Sequence, residues 1–178
     1  MNIFKRISVY LKFRTKTFKK IGSNTQYKQL NSKYLFPENI EIGDNTKIFD
    51  NAFFDGFGGI IIGNCCMVAP CCTIITGNHN YEKEIKYLPF DTKIIRKAVV
   101  IGDYCWVGRN VMIMPGVHIG LACTIAAGSV VVKDIPDYSV VGGNPAKLIK
   151  KKDKDAIKAL VSSGRCINNL KFNKDYLT

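Results

Sequence analysis

Ile101-Gly-Asp-Tyr-Cys-Trp106, Val107-Gly-Arg-Asn-Val-Met112, Ile113-Met-Pro-Gly-Val-His118, Ile119-Gly-Leu-Ala-Cys-Thr124 and Ile125-Ala-Ala-Gly-Ser-Val130 follow one another without a gap, each opening on Ile or Val. Upstream the same register returns in Ile42-Gly-Asp-Asn-Thr-Lys47 and Ile48-Phe-Asp-Asn-Ala-Phe53. After a break it resumes in Ile62-Gly-Asn-Cys-Cys-Met67, Val68-Ala-Pro-Cys-Cys-Thr73 and Ile74-Ile-Thr-Gly-Asn-His79. Six residues are too few for a helix pair or a hairpin but suit one short strand and a turn. Gly, Asp and Asn recur just after the aliphatic position, where a corner is expected to need unusual backbone angles. The aliphatic side chain points inward and stacks on its counterpart in the next coil, about 4.8 Å along the axis. No coil buries its own face alone, so the stack is the folding unit.

Composition narrows the function. The chain has 178 residues, a formal charge of +12 and seven cysteines. Its basic residues crowd the ends, at Lys5–Lys20 and Lys147–Lys158, and no nucleic-acid-binding motif interrupts the middle, so a nucleic-acid partner is not expected. The apolar runs are too short to span a bilayer and no uninterrupted apolar signal segment opens the chain, which makes the cytoplasm the default compartment. The odd cysteine count and the adjacent pairs Cys65-Cys66 and Cys71-Cys72 match neither a disulfide scaffold nor a paired zinc site. Cys66, Cys72, Cys105 and Cys123 instead share the fifth hexad position with Thr46, Ala52, Val111, Val117 and Ser129. They read as reduced, small packing residues.

From about Ile40 to Lys150 the chain resembles the hexapeptide-repeat acyltransferases, most specifically from Ile101 to Pro136 and in Val141-Gly-Gly-Asn-Pro-Ala-Lys147. Among these it is similar to maltose and galactoside acetyltransferases and polysaccharide O-acetyltransferases. The resemblance implies an all-β fold, a left-handed parallel β-helix assembled as a homotrimer, with a projecting loop and short terminal helices. The expected organisation is a basic amphipathic N-terminal extension over 1–35, the β-helix over 36–150 with an inserted loop at 80–99, and a C-terminal helix and tail over 151–178.

The insertion has no six-residue register, and a long irregular segment in a solenoid is more often functional than structural. His79 stands at its base. Acyl transfer to a hydroxyl requires the nucleophile to lose a proton as it attacks, and a neutral imidazole suits that near neutral pH. The resemblance places the catalytic histidine here; a structural histidine capping a loop is the alternative. His118, inside a regular hexad, reads as a surface residue. Two histidines cannot supply the three distinct zinc ligands of the γ-class carbonic anhydrases, which share the repeat, so no metal is expected.

On the acceptor side the resemblance implies contacts from Asp55, beside the Gly-rich Gly56-Phe-Gly-Gly59, and from Asn78, Tyr81 and Glu82. Asp55 reads equally as a corner aspartate satisfying backbone donors, and either Glu82 or Glu84 is available to orient the imidazole. For acetyl-CoA the resemblance implies Trp106 near the acetyl end, Gly108, Ala126 and Ala127 along the pantetheine arm, and Lys133, Lys147 and Lys150 near the phosphates. Arg109 replaces a small hydroxyl residue used by some members, which leaves the oxyanion donor open between Arg109 and a backbone N–H.

Residues 1–21 place Ile3, Phe4, Ile7, Tyr10, Leu11, Phe18 and Ile21 near helical spacing among lysines and arginines. A helix covering an open end of the solenoid is one reading; an anchor on an anionic membrane at the inner face is the other. The function these expectations define is acetyl-CoA-dependent O-acetylation of a sugar or glycan hydroxyl, in surface polysaccharide synthesis. N-acetylation of a nucleotide-linked amino sugar and serine-type O-acetylation share the donor half; a non-catalytic scaffold does not explain His79.

Overall fold

A computed structural model describes residues 17–81 and 84–169. The first coil holds β1 (Lys20–Ile21) and β2 (Lys33–Leu35), and the second holds β3 (Ile40–Ile42), β4 (Lys47–Ile48) and β5 (Phe53–Asp55). The third contains β6 (Ile60–Ile62), β7 (Met67–Val68) and β8 (Thr73–Ile75), after which β9 (Gly77–His79) and β10 (Ile94–Arg96) form an antiparallel hairpin. The fourth coil is β11 (Val99–Ile101), β12 (Trp106–Val107) and β13 (Met112–Ile113); the fifth is β14 (His118–Ile119), β15 (Thr124–Ile125) and β16 (Val130–Val131). A hairpin of β17 (Ser139–Gly142) and β18 (Lys147–Lys151) follows, then helix α1 (Lys154–Ser162). Strands of successive coils stack in parallel into three faces, β1-β3-β6-β11-β14, β4-β7-β12-β15-β17 and β2-β5-β8-β13-β16, with β18 antiparallel on the second. The chain is a three-sided parallel β-helix.

The register carries the aliphatic position from coil to coil. Ile42 lies beside Ile62, Ile62 beside Ile101 and Ile101 beside Ile119; on the second face Ile48, Val68, Val107, Ile125 and Val141 align. All of these are at most 2% exposed, and each stabilises the stack by roughly 1.5–3 kcal/mol relative to an exposed side chain. On the third face Phe54 takes the aliphatic position, between Tyr34 and Ile74. Its ring is wholly buried and meets Tyr34 edge-on at 5.5 Å.

Two details of the corner differ from the sequence expectation. The positive φ angles fall on the fourth hexad position, at Asn45, Asn51, Cys65, Cys71, Tyr104, Asn110 and Ala122, and not on the glycine after the aliphatic residue. That glycine answers a steric demand: a Cβ at Gly43 would stand 2.6 Å from the Gly63 carbonyl carbon, and one at Gly120 would stand 2.6 Å from the Asp137 nitrogen. The fifth position does more than fill space. Thr46 Oγ1 donates to the Gly63 carbonyl at 2.8 Å, and the thiols of Cys66, Cys105 and Cys123 donate to the carbonyls of Gly102, Gly120 and Pro136 at 3.2, 3.1 and 3.2 Å. A small side chain with a weak donor therefore satisfies a corner carbonyl of the next coil.

The ends depart from the expected boundaries. Residues 20–35, read as extension, form the first coil: β1 pairs with β3, β2 pairs with β5, and Gln26 bridges Lys47. Aromatic residues replace the aliphatic period there, with Phe18, Tyr27 and Tyr34 in mutual edge contacts at 4.9–6.3 Å. Phe18 and Ile21 pack on the core, so the helical spacing does not extend to Ile21, which is in a strand; residues 1–16 of the amphipathic segment lie outside the described residues. The chain is back in the coil at Val99, fully buried and paired with Ile60. Beyond α1 the chain folds against coils two and three, where the Asn168 amide donates to the carbonyls of Asn45 and Cys66.

Candidate active site

The hairpin that interrupts the solenoid sets His79 opposite Ile94, Asn78 opposite Ile95 and Gly77 opposite Arg96. Its base is pinned: the Lys97 N–H donates to the Thr76 carbonyl, the Asn80 N–H to the Lys93 carbonyl and the Asp91 N–H to the Asn80 carbonyl, at 2.8–2.9 Å. Asn80 and Asp91 are buried by this closure. The His79 ring lies against Phe90, with centroids 3.9 Å apart and planes 22° from parallel, while the Asn78 side-chain oxygen accepts from the His79 N–H at 2.9 Å. Rotation of the imidazole is restricted on one side and its edge faces solvent. A cleft of about 300 Å³ opens beside it, walled by Asn78, His79, Tyr81, Lys97, Met114 and Val132. A partly fixed, exposed imidazole beside a mixed polar and apolar cleft is the arrangement general-base chemistry needs.

Of the expected acceptor residues, Asn78 and Tyr81 share this cleft with His79. Asp55 is not among its lining residues. Its carboxylate accepts from the Phe57 N–H at 3.1 Å and caps the 3-10 turn Gly56–Gly58. Glu82 lies outside the described residues. Glu84 lines a separate cavity with Lys86, Tyr87, Asp91 and Lys93. His118 is an exposed strand residue whose N–H donates to the Asp134 carboxylate at 2.8 Å.

Apart from Lys133, the expected donor residues gather along another edge of the prism. Trp106 is 55% exposed on β12, between Met67 and Thr124 of the adjacent coils. Gly108 donates to the Ile125 carbonyl and Ala126 to the Val141 carbonyl, both at 2.8 Å, so Gly108, Ala126 and Gly142 stack in successive coils. A Cβ on Gly108 would stand 2.6 Å from the Ala127 nitrogen, and one on Gly142 would stand 3.0 Å from the Ala126 Cβ. The coils thus require small residues here, in a strip whose Gly108 is buried and whose Ala126 and Gly142 are half-buried. Lys147 pairs with Gly142 and Lys150 with Val140, both exposed, and Arg109 and Ala127 are exposed at the corner. Lys133 is exposed beyond β16, next to Val132 of the His79 cleft.

Phe90, against the His79 ring, and Lys97, in the cleft wall, are neighbours of His79 that sequence reasoning does not single out, nor does it single out Arg96 on the same hairpin. The apolar run Leu88-Pro-Phe90 inside a polar insertion was a signal for the first, because no hexad is available there to bury it. Nothing in the linear sequence marked Arg96, whose guanidinium carbon sits 3.8 Å from the centre of the Phe57 ring.

Comparison with known proteins finds the same fold. Residues 98–133 match the family described as bacterial transferase hexapeptide (six repeats). A maltose O-acetyltransferase from Clostridium difficile 630 superposes with a TM-score of 0.71 at 31% identity, over 86% of this chain and 78% of that one. A hexapeptide-repeat-containing acetyltransferase from Vibrio cholerae O1 biovar eltor, solved with acetyl coenzyme A, gives 0.70 at 30% identity, over 86% and 80%. The putative lipopolysaccharide biosynthesis O-acetyl transferase WbbJ of Escherichia coli K12 is 34% identical over 118 residues, covering 63% of this chain and 60% of that protein. The chain spans 57–62% of the length of the curated relatives it matches.

Proposed function

This chain belongs to the hexapeptide-repeat family of bacterial transferases, and from that premise we propose that it moves an acetyl group from acetyl-CoA to a hydroxyl of a sugar, with His79 as general base. The observation that carries the reading is His79 itself, stacked on Phe90 at the mouth of a cleft at the only interruption of the described solenoid. The acceptor O–H gives its proton to the imidazole as the oxygen attacks the thioester carbonyl carbon. The tetrahedral oxyanion then collapses, breaking the C–S bond, and the departing thiolate takes the proton back from the imidazolium. Products are an acetyl ester and coenzyme A, with His79 returned to its starting state. The N–H groups of Gly108 and Ala126 are already bonded to the next coil, so the exposed Arg109 guanidinium is the leading candidate oxyanion donor.

The geometry also supports an assembly with a second copy, which the family resemblance makes a homotrimer. Gly108 precedes β13 and Met114 follows it, so the donor strip and the His79 cleft lie at opposite edges of one face. One chain cannot close both around a single thioester; a neighbouring copy that turns its strip toward this cleft can. A glycan acceptor, and a role in building a surface polysaccharide, is supported by the names of the maltose and lipopolysaccharide relatives. Among the described residues no helix is long and apolar enough to cross a membrane.

Release of free thiol from acetyl-CoA across a panel of sugars tests the assignment. Wild-type protein should turn over with at least one sugar, and His79→Ala should lose roughly 10²–10⁴ of that rate while keeping the wild-type circular dichroism spectrum. Undiminished turnover in the variant removes His79 from the mechanism.

A further inference from the structure

A second cleft, of about 490 Å³, has Lys19, Glu38, Asn39, Phe57 and Arg96 in its walls. Three observations give it a chemical preference. Arg96 is directly opposite Gly77 and Ile94 is opposite His79; cross-strand partners project to one side and alternate residues share a face, so Arg96 and His79 are diagonal neighbours on the same face, roughly 7–8 Å apart. The Arg96 guanidinium is held flat against a support, 3.8 Å from the Phe57 ring centre. Phe57 is fixed in turn, because Gly77 leaves room for it: a Cβ there would stand 2.8 Å from Phe57 Cδ1. Finally, the other cation in the wall is neutralised, since Lys19 pairs with Glu41 at 2.7 Å, whereas Arg96 has no ion pair among the described residues. A guanidinium oriented by an aromatic face keeps its N–H edge available and presents a planar fork that matches a carboxylate or phosphate.

Diagonal neighbours on one face of a hairpin are within reach of a single pyranose-sized ligand, and the cleft volume falls in the range of small-molecule sites. We propose that Arg96 receives an anionic group of the acceptor, a carboxylate or a phosphate, so that the sugar presented to His79 is a charged one. This rests on the transferase reading above and narrows its acceptor to uronates or phosphorylated sugars.

Binding and turnover are measured separately, on the full chain. In ligand-observed NMR titrations at low ionic strength, glucuronate or glucose 6-phosphate should bind about tenfold more tightly than glucose, the scale of one charge-assisted pair. Comparing those two sugars tells a carboxylate site from a phosphate site. Arg96→Gln should abolish the preference, Arg96→Lys should retain part of it, and Lys158→Gln on α1 should leave it intact. Equal affinity for glucose, a preference that survives Arg96→Gln, or an equal loss in Lys158→Gln overturns the proposal. In the thiol-release assay, acetylation of charged and neutral sugars with equal kcat/KM also overturns it while the transferase reading stands. A charge preference in binding with no turnover on any sugar leaves Arg96 in place and removes the transferase reading.

Discussion

Gly63→Ala isolates the physical demand that sets the spacing of this solenoid. Gly63 follows β6 and is not among the residues with positive φ, so alanine can adopt its backbone conformation. The obstacle is the next coil. The new Cβ would stand 2.7 Å from the Asp103 nitrogen, 2.9 Å from the Gly102 carbonyl carbon and 2.2 Å from Asp103 Oδ1. Asp103 cannot swing aside freely, because that same oxygen accepts from the Asn64 N–H at 2.7 Å and from the Asn64 amide at 3.3 Å. The coils must part by several tenths of an ångström, which also stretches the 2.8 Å bond from the Gly63 N–H to the Ile101 carbonyl. Overpacking costs about 1–3 kcal/mol, and weakening one or two hydrogen bonds adds about 0.5–1.5 kcal/mol each, giving roughly 1.5–6 kcal/mol in total. For a chain of this size that lowers Tm by about 3–24 °C. Gly128→Ala is the matched contrast: nothing lies within 4 Å of its added Cβ, but its φ is +72°, so only the left-handed penalty of about 1–2 kcal/mol applies. Thermal unfolding by circular dichroism, at one protein concentration because assembly shifts Tm, measures both. If Gly63→Ala melts within 2 °C of wild type, or above Gly128→Ala, close approach of the coils is not what selects glycine there.

Phe90→Ala should lower kcat for acetyl transfer about 10- to 100-fold through loss of imidazole orientation, with KM for acetyl-CoA unchanged and Phe90→Tyr close to wild type; an unchanged kcat would show that the 3.9 Å stack does not position His79. Asp153→Ala removes the acceptor for the Asp155 and Ala156 N–H groups and should cost α1 about 0.5–2 kcal/mol, read as faster hydrogen exchange in the helix and nowhere in the coils. Burial pushes the Cys72 thiol from 9.0 up to about 11 and the Cys65 thiol up to about 12. Both are neutral below pH 9 whether the chain is folded or not, so stability should hold there and fall between about pH 9 and 12 as the unfolded thiols ionise first; a urea midpoint that is flat across that window contradicts the assignment. Because Phe18 and Ile21 pack on the core, a test of membrane binding should delete residues 1–16 alone, and co-sedimentation with anionic vesicles should drop; unchanged partitioning rejects the anchor.

What could be read from the sequence follows the boundary between periodic and non-periodic chain. Ile62, Ile101 and Ile119 were legible as core because each occupies the same place in a six-residue unit, and a parallel stack converts sequence period directly into spatial neighbourhood. Tyr34 and Phe54 do the same job but are aromatic, so the first coil and the third side of the second escaped a search for aliphatic residues. The corner glycines were located correctly and explained wrongly, since a contact with the next coil and a strained φ both select glycine and a linear sequence cannot tell them apart. His79 was legible because the period fails at that point. Phe90 and Arg96 were not, because the insertion has no period to relate Phe90 to His79 or Arg96 to Phe57 across the intervening residues. The repeat therefore specifies the frame, while the proposed acceptor contact Arg96 falls in the hairpin that interrupts it. For that reason the Arg96 variants test this protein's specificity more sharply than any substitution in the coils.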